Sequence, residues 1–421
     1  MKEIPLKYIA RINSRTLPES TDPNFRFRYV DIGSVGGTGV LNLPSELTDF
    51  GSAPSRARRL ADPGDTVVST VRTYLRAVAS VPESEEPLVF STGFATLEAG
   101  HAVDQRYLSY FCKSDLFIDE VVSRSVGVSY PAVNATDIGS IEVPLPSREE
   151  QRRIADFLDF EISRIGRVEA LRKDQKDLVE ERELAHIFDV VRGSGIPGRS
   201  TRETIVWLGD VPAEWPVLPV SSQFSVQLGK MLNQERVGGH RLRPYLRVAN
   251  IQWDEVDTSD LAYMNFPKEE RLRYEVRPGD LLICEGGSYP GRAAIWDGSV
   301  EEIYYQKALH RARSRGRSLV RWLYYCLRIA RAMGVFEADG NTSTITHLTG
   351  EQIGARRFPF PSPEIQEKMV RYLDEVASDG RMLQSAMDRQ LALLTERRQA
   401  LITAAVTGQI DVTTARGADV S

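Results

Sequence analysis

Val143-Pro-Leu-Pro-Ser-Arg-Glu-Glu-Gln-Arg-Arg-Ile154 and Phe358-Pro-Phe-Pro-Ser-Pro-Glu-Ile-Gln-Glu-Lys-Met369 are two versions of one pattern, set 215 residues apart. In each, a proline-punctuated apolar run gives way to a helix start. Ser147 with Glu150 three residues later is a capping box, and Ser362 before Pro363 puts proline at the first helical position. Working outward, the same offset recurs. Pro63-Gly64-Asp65 returns as Pro278-Gly279-Asp280, Arg106-Tyr-Leu-Ser-Tyr110 as Arg321-Trp-Leu-Tyr-Tyr325, and Gly193 as Gly408. Tyr29-Val-Asp-Ile32 pairs with Tyr245-Leu-Arg-Val248 one position later still, at 216. An offset this long means duplication of whole domains, not a solenoid of short units.

Each copy reads as a domain of about 145 residues followed by a long helix. The domain mixes β-rich runs (Thr66–Val71, Asp280–Cys284) with helical stretches (Tyr107–Val121, Leu319–Met333). Pro-Gly-Asp ahead of a strand is a turn signal, because proline presets φ and glycine supplies positive φ. In the first long helix Ile154, Leu158, Ile162, Ile165, Val168 and Leu171 form one apolar stripe. The second carries two heptad series, Met369-Val376-Leu383 and Leu373-Met387-Leu394-Leu401, with Gly380 interrupting the latter. A helix from Ser147 to Val191 would be roughly 65 Å long, more than one domain needs, so its stripe must be buried on the matching stripe of the other copy. The pattern predicts an α/β (α+β) chain with pseudo-twofold character. Two similar domains, 1–146 and 216–361, are separated by helices at 147–192 and 362–410 paired as an antiparallel coiled coil, with a Gly/Ser/Pro linker at 193–215 and a flexible tail at 411–421. Periodicity alone also fits a coiled coil for oligomerisation.

The chain has 421 residues, 42% hydrophobic and 26% charged, with three cysteines, Cys112, Cys284 and Cys326. No apolar run approaches the ~18 residues needed to cross a bilayer. No secretory leader is visible, and sparse, odd cysteines point to reducing cytoplasm. Net charge is −5, so bulk electrostatics do not draw the chain to DNA. Its distribution is uneven: residues 1–146 hold 14 basic and 18 acidic groups, residues 216–361 hold 20 and 16.

Catalytic signatures are missing. Gly33-Ser-Val-Gly-Gly-Thr-Gly39 lacks the Gly-Lys-Ser/Thr of a phosphate-binding loop, and Asp22-Pro-Asn-Phe25 lacks the second proline of an amino-methyltransferase signature. The five histidines show no metal-ligand spacing. Asp62 and Asp65 could be half a nuclease centre, yet Asp62 becomes Arg277 in the other copy, and a shared turn explains Asp65 and Asp280 better.

The two opening motifs, Gly209-Asp-Val-Pro-Ala-Glu-Trp215, Arg397-Arg-Gln-Ala-Leu-Ile-Thr-Ala-Ala-Val-Thr-Gly408, Ser91-Thr-Gly-Phe94 and Gly127-Val-Ser-Tyr-Pro131 together resemble the specificity subunit of type I restriction-modification systems. The resemblance spans essentially the whole chain. It implies two target-recognition domains, each reading half of a split double-stranded DNA target, and long helices that dock methyltransferase subunits, two of them in the simplest assembly, with restriction motor-nuclease subunits joining. It further implies a non-catalytic cytoplasmic chain that binds no cofactor, with S-adenosylmethionine, ATP and Mg2+ held by the partner subunits. The alternatives are a stand-alone methyltransferase or nuclease with a cryptic centre, and a coiled-coil scaffold.

Phosphate contacts position a protein and base-edge contacts specify sequence, which directs attention to polar and basic residues on loops after strands. In the first domain these are Arg72, Tyr74 and Arg76, then Arg124, Ser129 and Tyr130. The second offers Ser288, Tyr289 and Arg292, then Asn341, Thr342 and Thr344. Tyr74 and Tyr289 are in register but could equally be core aromatics. Arg311, Arg313, Arg315 and Arg317 alternate, which on a strand makes one basic face suited to a phosphate track.

Overall fold

The computed structural model describes residues 2–37, 39–194, 205–232, 242–286, 289–336 and 347–412. They fall into two compact units, Met1–Asp174 with Ala386–Ser421, and Gln175–Ser385. Most of the linker and tail, along with Ser288, Asn341, Thr342 and Thr344, lie outside the described residues.

In the first unit a four-stranded antiparallel sheet runs in the order Ala10–Ile12, Phe94–Ala99, Thr66–Ser69, Val78–Ser80. The second unit has the same order: Phe224–Leu228, Leu309–Ser314, Leu281–Cys284, Ala293–Ile295. The last three strands of one sheet fall at the repeat offset from those of the other, residue for residue. Both sheets are built on a fully buried central strand, Thr66–Ser69 or Leu281–Cys284. A second sheet in each unit contains one parallel pair, Arg26–Val30 with Leu88–Ser91 and Leu242–Leu246 with Tyr304–Tyr305. The Pro-Gly-Asp turn is the same device twice. Gly64 and Gly279 both have φ of 88°. Asp65 accepts the Asp62 amide at 2.9 Å and Asp280 the Arg277 amide at 2.7 Å, so each carboxylate closes its own turn.

The helical stretch expected over Tyr107–Val121 is two helices, Gln105–Lys113 and Asp115–Ser123. Ser114 breaks it, its hydroxyl donating to the Phe111 carbonyl at 2.6 Å and accepting the Phe117 amide at 3.3 Å. The counterpart, Val320–Ala332, is unbroken.

The long helices are Arg148–Arg192 and Pro363–Val406. Each is tied to the domain before it by one buried glutamine. Gln151 accepts the Asp104 amide at 2.7 Å and donates to the Pro146 carbonyl at 2.9 Å; Gln366 accepts the Leu319 amide at 2.9 Å and donates to the Pro361 carbonyl at 2.7 Å. Asp104 and Leu319 are the N-caps of the domain helices, whose free amides need an acceptor. About two turns further along, Asp159 takes Arg106 and the Tyr110 hydroxyl, both at 2.6 Å. Asp374 takes Arg321 at 2.7 Å and Tyr325 at 2.5 Å.

Each unit also contains a segment of the other long helix. In the first, Ile154 and Leu158 share a core with Ile402, Ala405 and Val406, and Glu169 pairs with Arg398. In the second, the Tyr372 hydroxyl meets His186 Nδ1 at 2.7 Å and Gly380 lies beside Val179 and Glu183. Within each unit, then, rising numbers on one helix meet falling numbers on the other, which is antiparallel pairing. The expected stripe holds for Ile154, Leu158 and Ile165, which are buried; Val168 and Leu171 are exposed, as are Leu178, Leu383 and Leu393. Helical periodicity reports a shared face but not whether a neighbour covers it. Gly380 does not interrupt its helix.

Candidate nucleic-acid interface

In the first unit the chain leaving strand Thr66–Ser69 enters a 3-10 turn, Thr73–Leu75, flanked by two arginines in left-handed conformation, Arg72 at φ 49° and Arg76 at φ 56°. Non-glycine residues there cost roughly 1–2 kcal/mol each, so surrounding contacts must hold the turn. They do: the Arg72 amide donates to the Pro131 carbonyl at 2.7 Å, and Thr73 Oγ1 lies 2.8 Å from Ser125 Oγ. A second loop is thereby fastened to the first, with Ala132 bridging both Val71 and Val126.

The face built this way is open. Tyr74 is 56% exposed, Tyr130 65% and Val128 fully exposed; Ser129 is exposed as well. The Arg72 guanidinium lies 4.7 Å from the Tyr130 ring centroid and has no carboxylate partner among the described residues. Arg76 and Arg124 are engaged inside the protein. Arg76 pairs with Asp115, and Arg124 pairs with Glu120 and donates to Ser140 Oγ at 3.2 Å. Leu75, Val126 and Val128, not singled out in the sequence, join this face; the Val-Gly-Val-Ser-Tyr alternation beside a positive-φ glycine, Gly127, was the available signal.

In the second unit Tyr289 follows the equivalent strand and is 51% exposed. Both in-register tyrosines are therefore surface residues, and the core alternative fails. Arg292 does not stand beside Tyr289 as a free reader. It is buried, donates to Gln252 Oε1 at 3.1 Å and to the Val248 carbonyl at 3.3 Å, and lies 4.5 Å from the Tyr289 ring, which it braces.

The alternating arginines also need correction. Arg311 and Arg313 share a face of strand Leu309–Ser314, but that face turns inward. Arg311 donates to the Glu275 carbonyl at 2.5 Å and to Gln227 Oε1 at 3.1 Å, and burial pulls its guanidinium below the usual arginine range. Arg313 grips both oxygens of buried Asp280 at 2.6 Å. Arg315 lies past the strand end, exposed, donating to the Ser221 carbonyl at 3.2 Å. A period of two assigns residues to one face of a strand, and only the sheet decides which face meets water.

The three cysteines are free and buried. Burial pushes the Cys284 thiol up to about 11 and raises those of Cys112 and Cys326 further, so none is a ready thiolate at neutral pH. Among the described residues no cluster of three or more His, Cys, Asp or Glu side chains could hold a metal ion, and no helix is long and apolar enough to cross a membrane.

A family profile described as the type I restriction modification DNA specificity domain matches residues 59–171. The chain is 20% identical over 403 residues to the EcoKI specificity subunit of Escherichia coli K12, covering 92% of this chain and 82% of that one. It is 22% identical over 205 residues to the MjaVIII specificity subunit of Methanocaldococcus jannaschii, covering 47% of this chain and 44% of the relative. A solved chain, from work on complex assembly and conformational transition of a type I R-M system, shares the fold at a TM-score of 0.72 and 23% identity, covering 97% and 98% of the two chains. With the duplicated motifs, the specificity-domain profile over residues 59–171 and a likeness that runs through 92% of its length, the chain is similar to the specificity subunits of type I restriction-modification systems.

Proposed function

We propose that this chain selects a bipartite sequence in double-stranded DNA, one half-site per repeat, for methyltransferase and restriction subunits that carry the chemistry. The observation that supports this reading best is the placement of an exposed tyrosine, Tyr74 or Tyr289, at the same point after the same buried strand in both repeats, with Arg292 against the Tyr289 ring in one and Arg72 against the neighbouring Tyr130 ring in the other. Base-edge readout needs such side chains held rigidly on a scaffold. In the first repeat Arg72, Tyr74, Ser129 and Tyr130 approach base edges; in the second Tyr289 does, with Ser288, Asn341, Thr342 and Thr344 as further candidates. Arg315 suits a phosphate, while Arg76, Arg124, Arg292, Arg311 and Arg313 hold the loops and sheets. Exposed apolar residues of the long helices, Leu171, Leu178, Leu383 and Leu393, support docking of methyltransferase subunits, two in this proposal. S-adenosylmethionine, ATP and Mg2+ belong to the partners in this reading, and the chain itself is not an enzyme.

The test is methylome sequencing of cells carrying the chain with its methyltransferase subunit, before and after exchange of residues 72–76. A change confined to one half of the methylated motif is expected. Robust methyl transfer by the purified chain alone, or an unaltered motif after the exchange together with loss of neither half on deleting either repeat, would defeat the proposal.

A further inference from the structure

The two repeats differ at one ionic position inside their helical packing. In the second, Arg328 pairs with Glu183 of the first long helix, the side chains 13% and 8% exposed. Shifted by the repeat offset, these two positions become Lys113 and Arg398, so a cation faces a cation where the other copy sets a cation against a carboxylate. Arg398 is neutralised from its own side by Glu169, and Arg76 by Asp115. The Lys113 carbonyl accepts from Gln399 Nε2 at 2.8 Å, but the Lys113 ammonium has neither hydrogen-bond nor ion-pair partner among the described residues and approaches the Tyr110 ring at 5.8 Å. Burial holds that ammonium below its ordinary value; the charge of nearby Asp159, itself bonded to Arg106 and Tyr110, opposes the shift, and the Arg398 charge adds to it.

Lys113, Arg76 and Arg398 line one recess of about 40 Å³. Of the three cations, Arg76 and Arg398 are directly ion-paired, while the Lys113 ammonium has no direct carboxylate contact among the described residues. About 10–15 Å³ of such space holds one water molecule, so the recess has room for an oxygen of a bound group.

We propose that this recess binds a phosphate oxyanion, one oxygen entering among Lys113, Arg76 and Arg398 where Glu183 serves the other repeat. The rest of the group stays at the mouth. Two sources supply that chemistry, a DNA phosphodiester and free phosphate. The first is favoured because the turn carrying Arg72 and Tyr74 ends at Arg76; that choice rests on the DNA-reading proposal above.

Melting of the full chain in inorganic phosphate, against chloride at matched ionic strength, tests the site without DNA. Phosphate should raise the Tm of the wild type by a few degrees and that of Lys113→Met not at all. Lys113→Glu, which restores the carboxylate, should melt above the wild type in chloride and ignore phosphate. Salt-dependent DNA binding by the complex with methyltransferase subunits then separates the sources. A log–log slope shallower by about 0.9 in Lys113→Met identifies a phosphodiester, whereas an unchanged slope with a phosphate-dependent Tm identifies free phosphate. A phosphate response that survives in Lys113→Met, or none in the wild type alongside an unchanged slope, overturns the site. Failure of the wild-type complex to bind DNA would defeat the DNA reading and leave the melting result to decide the recess.

Discussion

Arg328→Met removes one half of a buried ion pair and leaves the other behind. Glu183 and Arg328 are 8% and 13% exposed, and the Arg328 guanidinium also reaches the Tyr324 hydroxyl at 3.4 Å. Methionine keeps most of the side chain's volume, so the cost is electrostatic: a carboxylate stranded in a poorly solvated site, about 3–5 kcal/mol. The unit concerned, Gln175–Ser385, falls in the size range where 1 kcal/mol moves Tm by about 2–4 °C. A fall of roughly 6–20 °C in the melting transition of this unit is expected. Adding Glu183→Leu removes the stranded charge and should recover most of the loss, giving a coupling energy well above 1 kcal/mol in the double-mutant cycle. Calorimetry of wild type, both single variants and the double variant measures this directly. If Arg328→Met costs under about 1 kcal/mol, or the double variant is no better than the single, the pair is solvated and the contrast drawn with Lys113 and Arg398 loses its basis.

Gly380 is buried in the second long helix, and a Cβ there would meet Glu183 and Val179 at 3.6 and 3.7 Å, ordinary contact distances. Gly380→Ala should therefore raise stability by about 0.5–1 kcal/mol in denaturant titrations; destabilisation would show that the helices are closer than described. Arg72→Ala should relax one half-site by about 1–3 kcal/mol of discrimination in a binding assay with the assembled complex. Arg311→Met should leave the methylated motif unchanged while lowering the melting temperature, because its donors serve the Glu275 carbonyl and Gln227. His310 is buried, bonded through Nε2 to the Leu348 carbonyl at 2.9 Å, and desolvation lowers its pKa in the fold. The unfolded chain then takes up the proton first. Stability is full above the unfolded value of about 6.5 and declines as pH falls from there towards the lower folded value, at no more than about 1.4 kcal/mol per pH unit. Urea midpoints between pH 7.5 and 5 should show this slope in the wild type and less of it in His310→Gln.

The sequence reading reached furthest where one residue type has one structural job. Gln151 and Gln366, Asp65 and Asp280, and the arginine-tyrosine pairs Arg106/Tyr110 and Arg321/Tyr325 recur at a single offset, and each recurrence marks a contact made by equivalent side chains in both repeats. It failed where periodicity leaves a sign undecided. Alternation placed Arg311 and Arg313 on one face of a strand without saying that Asp280, Gln227 and the Glu275 carbonyl wait on that side. Tyr74 and Tyr289 show the opposite outcome, since a tyrosine after a buried strand can point either way and both point outward.

Duplication, the mixed fold of each copy, the helix starts and the absence of familiar catalytic patterns belong to the linear order of residues, because turns, caps and heptads are local and short in range. Which arginines remain free to meet DNA is not local. It depends on whether a carboxylate or carbonyl from tens of residues away has already claimed the guanidinium, as Asp115 claims Arg76 and Gln252 claims Arg292. Only packing in three dimensions makes that assignment, and it leaves Arg72 without a carboxylate partner among the described residues.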